Sequence, residues 1–205
     1  MKDRTIYFYL AAILTVVVPV PGRLAFGLLM VVVFNVQVMT GVLVGHLTAR
    51  LHLDDLKNVI VAVNLVAVTI LFKQLVIFFC PVAALTLGFS FYLPALASAI
   101  IEFSYKEVAP SLAADIKEKA LRNAVFSAVA LGIYLVRDLV GFGTVTFPVW
   151  RRIAVVHVPF GARTTAAGAF FATIPGAFVL VAVLLALYLL VTGQFAALRR
   201  AGGER

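Results

Sequence analysis

Leu131-Gly-Ile-Tyr-Leu-Val-Arg-Asp-Leu-Val-Gly-Phe-Gly-Thr-Val-Thr-Phe-Pro148 begins as the end of an apolar helix and becomes a glycine-broken exit. Arg137 and Asp138 stand side by side within it. Charge in hydrocarbon is costly, so an ionisable residue inside an apolar span marks a candidate functional site. Gly141 and Gly143 admit backbone angles that other residues resist, and Pro148 blocks a continued helix. Two readings stand for the charged pair. Either it is held inside the protein, or it lies at the water interface with its side chains snorkelling outward.

The rest of the chain sets that stretch in a membrane. Of its 205 residues 63% are hydrophobic, and mean hydropathy is +1.10, whereas a soluble domain is about half apolar. The apolar residues fall in runs near the roughly 20 residues that span a bilayer. These features predict a polytopic all-α membrane protein, a single transmembrane domain over residues 1–205. The net charge of +8 does not point to nucleic acid, because the basic residues cluster between apolar runs. Cys80 is the one cysteine, so no internal disulfide can form. The first run has a basic start, Lys2 and Arg4, like a signal peptide. Pro19-Val-Pro-Gly22 is a poor small-residue cleavage site, so the run reads as a retained helix.

Six helices are predicted, at about Thr5–Val18, Leu24–Leu47, Asn58–Cys80, Val82–Phe103, Ala120–Val140 and Gly168–Leu190. The first is short and ends at Pro19. The second carries Asn35, Gln37, Thr40 and His46 among Gly27, Gly41 and Gly45, a composition suited to close helix packing and interhelical hydrogen bonds. His46 reads as a capping or interfacial histidine, since no second ligand stands at metal spacing from it. Lys73, in the third helix, is about 8 residues from the nearer end, roughly 12 Å. An inward-facing Lys73 with a partner, Asp138 among the candidates, is therefore expected. The fourth helix is interrupted at Gly88 and Pro94. Between Ser104 and Lys119 the pairs Asp115/Lys119 and Glu118/Arg122 are spaced i,i+4, which predicts an interfacial helical segment. From Gly141 to Ala167 a loop is expected, with Trp150, Arg151, Arg152 and Phe160 as an interfacial anchor. Pro175-Gly176 lies inside the sixth helix, and Arg199-Arg200 forms a basic tail.

Loop charge sets orientation. With six spans, one side collects Lys2, Arg4, Arg50, Lys57, Lys106, Lys117, Lys119, Arg199, Arg200 and Arg205; the other holds Arg23, Arg151, Arg152 and Arg163. The richer side is cytoplasmic, so both termini are expected there, in the inner membrane of a bacterial cell. Six helices divide into two inverted three-helix repeats, with the first helix of each half short or broken, at Pro19 and at Gly88 and Pro94. Paired broken helices point to a midplane site.

From about Gly22 to Leu190 the chain resembles the six-helix membrane subunits of the Rnf and Nqr electron-transport complexes. Arg137-Asp138-Leu-Val-Gly-Phe-Gly-Thr144 is similar to the family's Arg-Glu…Gly-x-Gly-Thr stretch. Ile174-Pro-Gly-Ala-Phe178 resembles its Pro-Pro-Gly-Ala-Phe, and Leu87-Gly88…Leu93-Pro94 the Leu-Gly…Pro-Leu of its fourth helix. The resemblance implies an inverted-repeat fold, sister membrane subunits as partners, and a [2Fe-2S] cluster shared between two subunits, each giving a cysteine from its first and fourth helices. Here those cysteines are missing: the first helix has none, and neither does the stretch Ala97 to Ile101. Cys80 falls at the end of the third helix instead. Lys73 stands where the family places an acidic residue.

The resemblance makes the chain a membrane subunit of an Rnf-like, redox-driven ion pump, at most a non-autonomous part of an oxidoreductase. The competing readings are a transporter or channel-like protein with a midplane site between broken helices, or a scaffold subunit. No nucleophile–base pair, phosphate loop or metal-ligand cluster supports a self-contained enzyme, and no cofactor is expected on this chain's own cysteines. A [2Fe-2S] centre takes four ligands, thiolate or imidazole.

Overall fold

In lipid every backbone polar group must be satisfied within the protein, which favours helices wherever apolar residues run uninterrupted. The computed structural model describes residues 2–104, 112–158, 166–186 and 190. The helices are α1 (Lys2–Val17), α2 (Leu24–Arg50), α3 (Lys57–Phe79), α4 (Pro81–Leu87), α5 (Leu93–Ser104), α6 (Leu112–Phe142) and α7 (Ala166–Ala172), then α8 (Ile174–Ala186). Two strands, β1 (Thr144–Val149) and β2 (Arg152–His157), follow α6. Among the described residues four stretches are long and apolar enough to cross a membrane: α2, α3, Pro81–Phe103 across α4 and α5, and α6.

The long helix α2 is the hub of the packing, lying against α3, α5 and α6, while α1 lies against α5 and α6. Helices α2 and α6 run antiparallel. A Cβ on Gly27 would run into the Tyr134 ring near one end. Phe34 stacks on Phe126 at 4.2 Å between centroids, and His46 meets Asp115 near the other end. The buried residues of α3 are Val61, Leu65, Thr69 and Val76, a single seam. Its other faces expose Val59, Val63, Leu71 and Phe78, the apolar surface that a bilayer would cover.

Several boundaries differ from the sequence expectation, each for a physical reason. The expected fourth helix is divided by a 3-10 segment, Gly88–Tyr92. Gly88 adopts φ 46° and ψ −111°, a conformation that a Cβ disfavours, so the break falls there. Pro94 is not a second break: it is the second residue of α5, where its missing N–H costs nothing. The expected interfacial segment and fifth helix are continuous from Leu112 as α6. The expected sixth helix is divided at Thr173, whose hydroxyl donates to Phe170 O at 2.6 Å, and Pro175 lies in the first turn of α8.

The fold is also not purely α-helical. Where a loop was expected, β1 and β2 form an antiparallel hairpin with Val149 paired to Arg152 across a two-residue turn. Arg151, in that turn, has φ 63°. The β-branched residues Thr144, Val145, Thr146, Val149, Ile153, Val155 and Val156 suit a pleated strand. The Arg151 N–H donates to Phe79 O at 2.8 Å, and Trp150 meets Phe78 and Phe79 edge-on. The hairpin tip therefore closes over the α3–α4 connection. Phe160, Lys106, Arg163, Arg199, Arg200 and Arg205, which figured in the expectations, lie outside the described residues.

Candidate functional site

Helix α6 carries Tyr134, Arg137, Asp138 and Gly141 to the bundle end where α1 stops and α2 starts. All four are buried. Gly143, at φ 64°, ends the helix in a left-handed cap, and its N–H reaches Leu139 O at 3.0 Å. The chain then reverses into β1, which brings Thr144 and Thr146 back over Asp138.

Arg137 is fully buried and spends its donors on backbone carbonyls. Nη1 donates to Val17 O at 2.6 Å and Val20 O at 3.1 Å. Nε donates to Phe171 O at 3.3 Å, and Nη2 to Ala172 O at 3.2 Å and Thr173 O at 3.5 Å. The C-terminal ends of α1 and α7 thus meet on one guanidinium. Each helix C-terminus carries on the order of half a negative charge, so two ends offset a single cation without a carboxylate. Among the described residues no carboxylate ion-pairs with Arg137. Its guanidinium carbon also stands 5.9 Å from the Tyr134 ring centroid, and the Tyr134 hydroxyl donates to Val16 O at 2.8 Å.

Asp138, also fully buried, does the complementary task. Oδ2 accepts the Leu24 N–H at 3.1 Å, the first N–H of α2, where the helix dipole favours an anion. Oδ2 also accepts the Thr146 N–H at 2.8 Å and the Thr146 hydroxyl at 2.7 Å, while Oδ1 accepts the Thr144 hydroxyl at 2.8 Å. The Ala25 N–H donates to Thr146 Oγ1 at 3.1 Å, extending the clasp one residue into α2. Neighbouring residues on α6 therefore hold both ends of the α1–α2 turn. Arg137 takes the carbonyls that enter it, and Asp138 takes the N–H that leaves it.

Small residues permit this convergence. A Cβ on Gly141 would come 2.9 Å from Ala172 Cβ, and one on Gly22 would come 3.1 Å from Arg137 Nε. Pro19 lies exposed in the turn itself. The other predicted positions are elsewhere. Lys73 is not the partner of Asp138: it is partly buried, with its ammonium 5.8 Å from the Tyr92 ring centroid beside the Gly88–Tyr92 break. Two threonine hydroxyls and two backbone N–H groups saturate Asp138 instead. Cys80 is buried, and its thiol donates to Arg152 O at 3.6 Å. Ala97 and Ile101 are packed in the core. Among the described residues no group of three His, Cys, Asp or Glu side chains is placed to hold a metal ion.

The Arg137–Asp138 clasp can bind helix ends and neutralise their dipoles; a reacting centre would need free valences that it does not offer. No family model, no curated protein and no solved structure matches the chain.

Proposed function

We propose that this chain is a multi-pass membrane subunit of an ion-translocating electron-transport complex of the Rnf/Nqr kind, acting with sister membrane subunits. One observation carries the reading. The stretch that most resembles the family, Arg137 to Thr144, is the one on which the ends of α1 and α7, the start of α2 and the hairpin converge. A motif that organises four elements is one that a fold would keep. The short α1 and the break at Gly88 also suit a six-pass chain of two inverted halves. Loop charge supports both termini at the cytoplasmic face.

In this reading the chain holds no iron–sulfur cluster on its own thiols. Its single cysteine lies against the hairpin, and Ala97 and Ile101 fill the place of the family's fourth-helix ligand. These residues do not fit a cluster of four ligands. Electrons would cross on cofactors of partner chains, while this subunit supplies packing and an ion route. A second reading, a transporter with a site between broken helices, is favoured by Lys73 and Tyr92 meeting at the Gly88–Tyr92 break.

The test is purification from the native membrane with identification of the chains that stay bound. Redox-cofactor-bearing membrane subunits are expected. A homogeneous, stable monomer that retains transport of a small solute in liposomes would replace this reading with the second.

A further inference from the structure

The bundle end opposite the hairpin holds a different kind of polar cluster. His46 Nε2 lies 3.2 Å from Asp115 Oδ2. Lys119 Nζ lies 3.7 Å from the same carboxylate and 3.1 Å from Glu102 Oε2. Relative exposures of these side chains are only 9% for Asp115, 11% for Glu102, 15% for Lys119 and 21% for His46. Opposite Glu102, α2 presents Gly41 and Gly45, which leave room for the carboxylate; Lys57 of α3 also reaches the same spot at Gly45. The charged groups facing this seam are thus His46 from α2, Lys57 from α3, Glu102 from α5, and Asp115 and Lys119 from α6.

The polar track continues inward. Ser98, one turn deeper than Glu102 on α5, donates to Gln37 Oε1 at 3.2 Å, and Gln37 Nε2 donates to Thr69 Oγ1 at 2.7 Å. Still deeper, Asn35 Nδ2 donates to Ser127 Oγ at 2.8 Å. On α6, Asn123 stands between Lys119 and Ser127, one turn or about 6 Å from each. It is 1% exposed, yet neither its amide nitrogen nor its amide oxygen has a hydrogen-bond partner. Every other polar side chain named along the track is bonded. An amide sealed in an apolar bundle without partners is strongly disfavoured unless something polar binds it.

We propose that the seam between α2, α5 and α6 binds a small monovalent cation, sodium or hydronium. The cation enters at His46–Asp115, Glu102 supplies the charge, and the Asn123 carbonyl oxygen supplies the inner contact. Oxygen ligands are what a hard cation takes. Lys119 is the built-in competitor: its ammonium already bridges both carboxylates, and an arriving cation displaces it from Glu102. The displaced ammonium stays on Asp115 while the cation takes its place on Glu102.

The inference does not rest on the redox reading; co-purification tests that one, and cation dependence tests this one. The full chain, with any bound partners, is heated in detergent, and unfolding is followed by labelling of Cys80 with a fluorescent maleimide, read on a gel and normalised at each pH to the labelling rate of the chain unfolded in SDS, because the thiolate is the reactive form. Cys80 is the only cysteine of the chain and is fully buried. Sodium is titrated against choline chloride at constant ionic strength and pH 8. In parallel, pH is lowered from 8 to 6 in choline alone. At a hundredfold excess over Kd the midpoint is expected to rise by roughly 5–10 °C. A rise with sodium identifies sodium, and a rise with acid alone identifies hydronium. In either case the rise disappears in Asn123→Leu and persists in Asn123→Asp. Should Asn123→Leu not fold, Glu102→Gln decides in its place, with the same loss expected. A wild-type midpoint indifferent to both sodium and pH overturns the proposal, as does a rise that survives the deciding substitution.

Discussion

The two ends of the bundle use charge in opposite ways. At the hairpin end, Arg137 and Asp138 are fully buried, ion-pair with nothing among the described residues, and are saturated by backbone groups and threonine hydroxyls. At the other end, His46, Lys119 and Glu102 are partly exposed and Asp115 is buried, all four are paired with one another, and an amide beside them is left bare. Charges bonded to backbone fix where helices begin and end, and they cannot exchange partners without undoing the fold. Charges bonded to flexible side chains can exchange partners within an intact fold. The first arrangement is architecture; the second is the kind that a mobile ion can enter.

Substitutions can break that comparison. The largest effect is expected from Arg137→Ala, which strands the carbonyls of Val17, Val20, Phe171, Ala172 and Thr173 inside the protein. A loss of about 3–5 kcal/mol is expected, as for a buried charge network that loses one member. Arg151→Ala, on the exposed hairpin turn, is the control. Quantifying the folded chain in membranes by Cys80 protection checks it, and equal amounts of the two variants would reduce Arg137 to an interfacial residue.

Asp138→Asn comes next. The amide keeps the shape but replaces one acceptor oxygen with a donor that faces N–H groups or hydroxyls, for a cost of about 1–3 kcal/mol. On the usual scaling for a chain of this size, that lowers the unfolding midpoint by about 2–12 °C. The smallest effect is expected from Lys119→Met. Its pairs are only 9–15% exposed, but Asp115 keeps His46 and Glu102 keeps Lys57 nearby, so the loss falls between that of exposed pairs and that of sealed ones, at about 1 kcal/mol. A Lys119→Met chain destabilised as much as Asp138→Asn would erase the distinction between the two ends.

The clasp was only half legible in the sequence. Arg137, Asp138, Gly141 and Gly143 stood out because charges and glycines are conspicuous in an apolar run. Their partners did not, because Val17 O, Val20 O, Ala172 O and the Leu24 N–H are backbone atoms, which no residue type announces. Lys73 shows the same limit from the other side. Reach along the helix left open whether it met a carboxylate or a ring, and the 3-10 segment decided it by turning Tyr92 beneath it. The hairpin had a signal, β-branched residues on both sides of Trp150-Arg151, but its tip depends on Phe79 O, far off in the chain. The i,i+4 pairs were legible because they are local: Asp115–Lys119 and Glu118–Arg122 both form. His46–Asp115, which spans 69 residues, was not.

The bond from Arg137 to Val17 joins residues 120 apart, which has a consequence for biosynthesis. A ribosome adds about 5–20 residues each second, so the carbonyls at the end of α1 wait roughly 6–24 s for their cation. Those from α7 appear about two to seven seconds later at the same rate. Throughout that interval the Val18–Arg23 turn has no protein donor for Val17 O and Val20 O, and hydrocarbon offers none. The first helix must therefore remain beside water or the insertion machinery until the fifth predicted span arrives. Its final place against α5 and α6 is set late, by Arg137, and not by its own hydrophobicity.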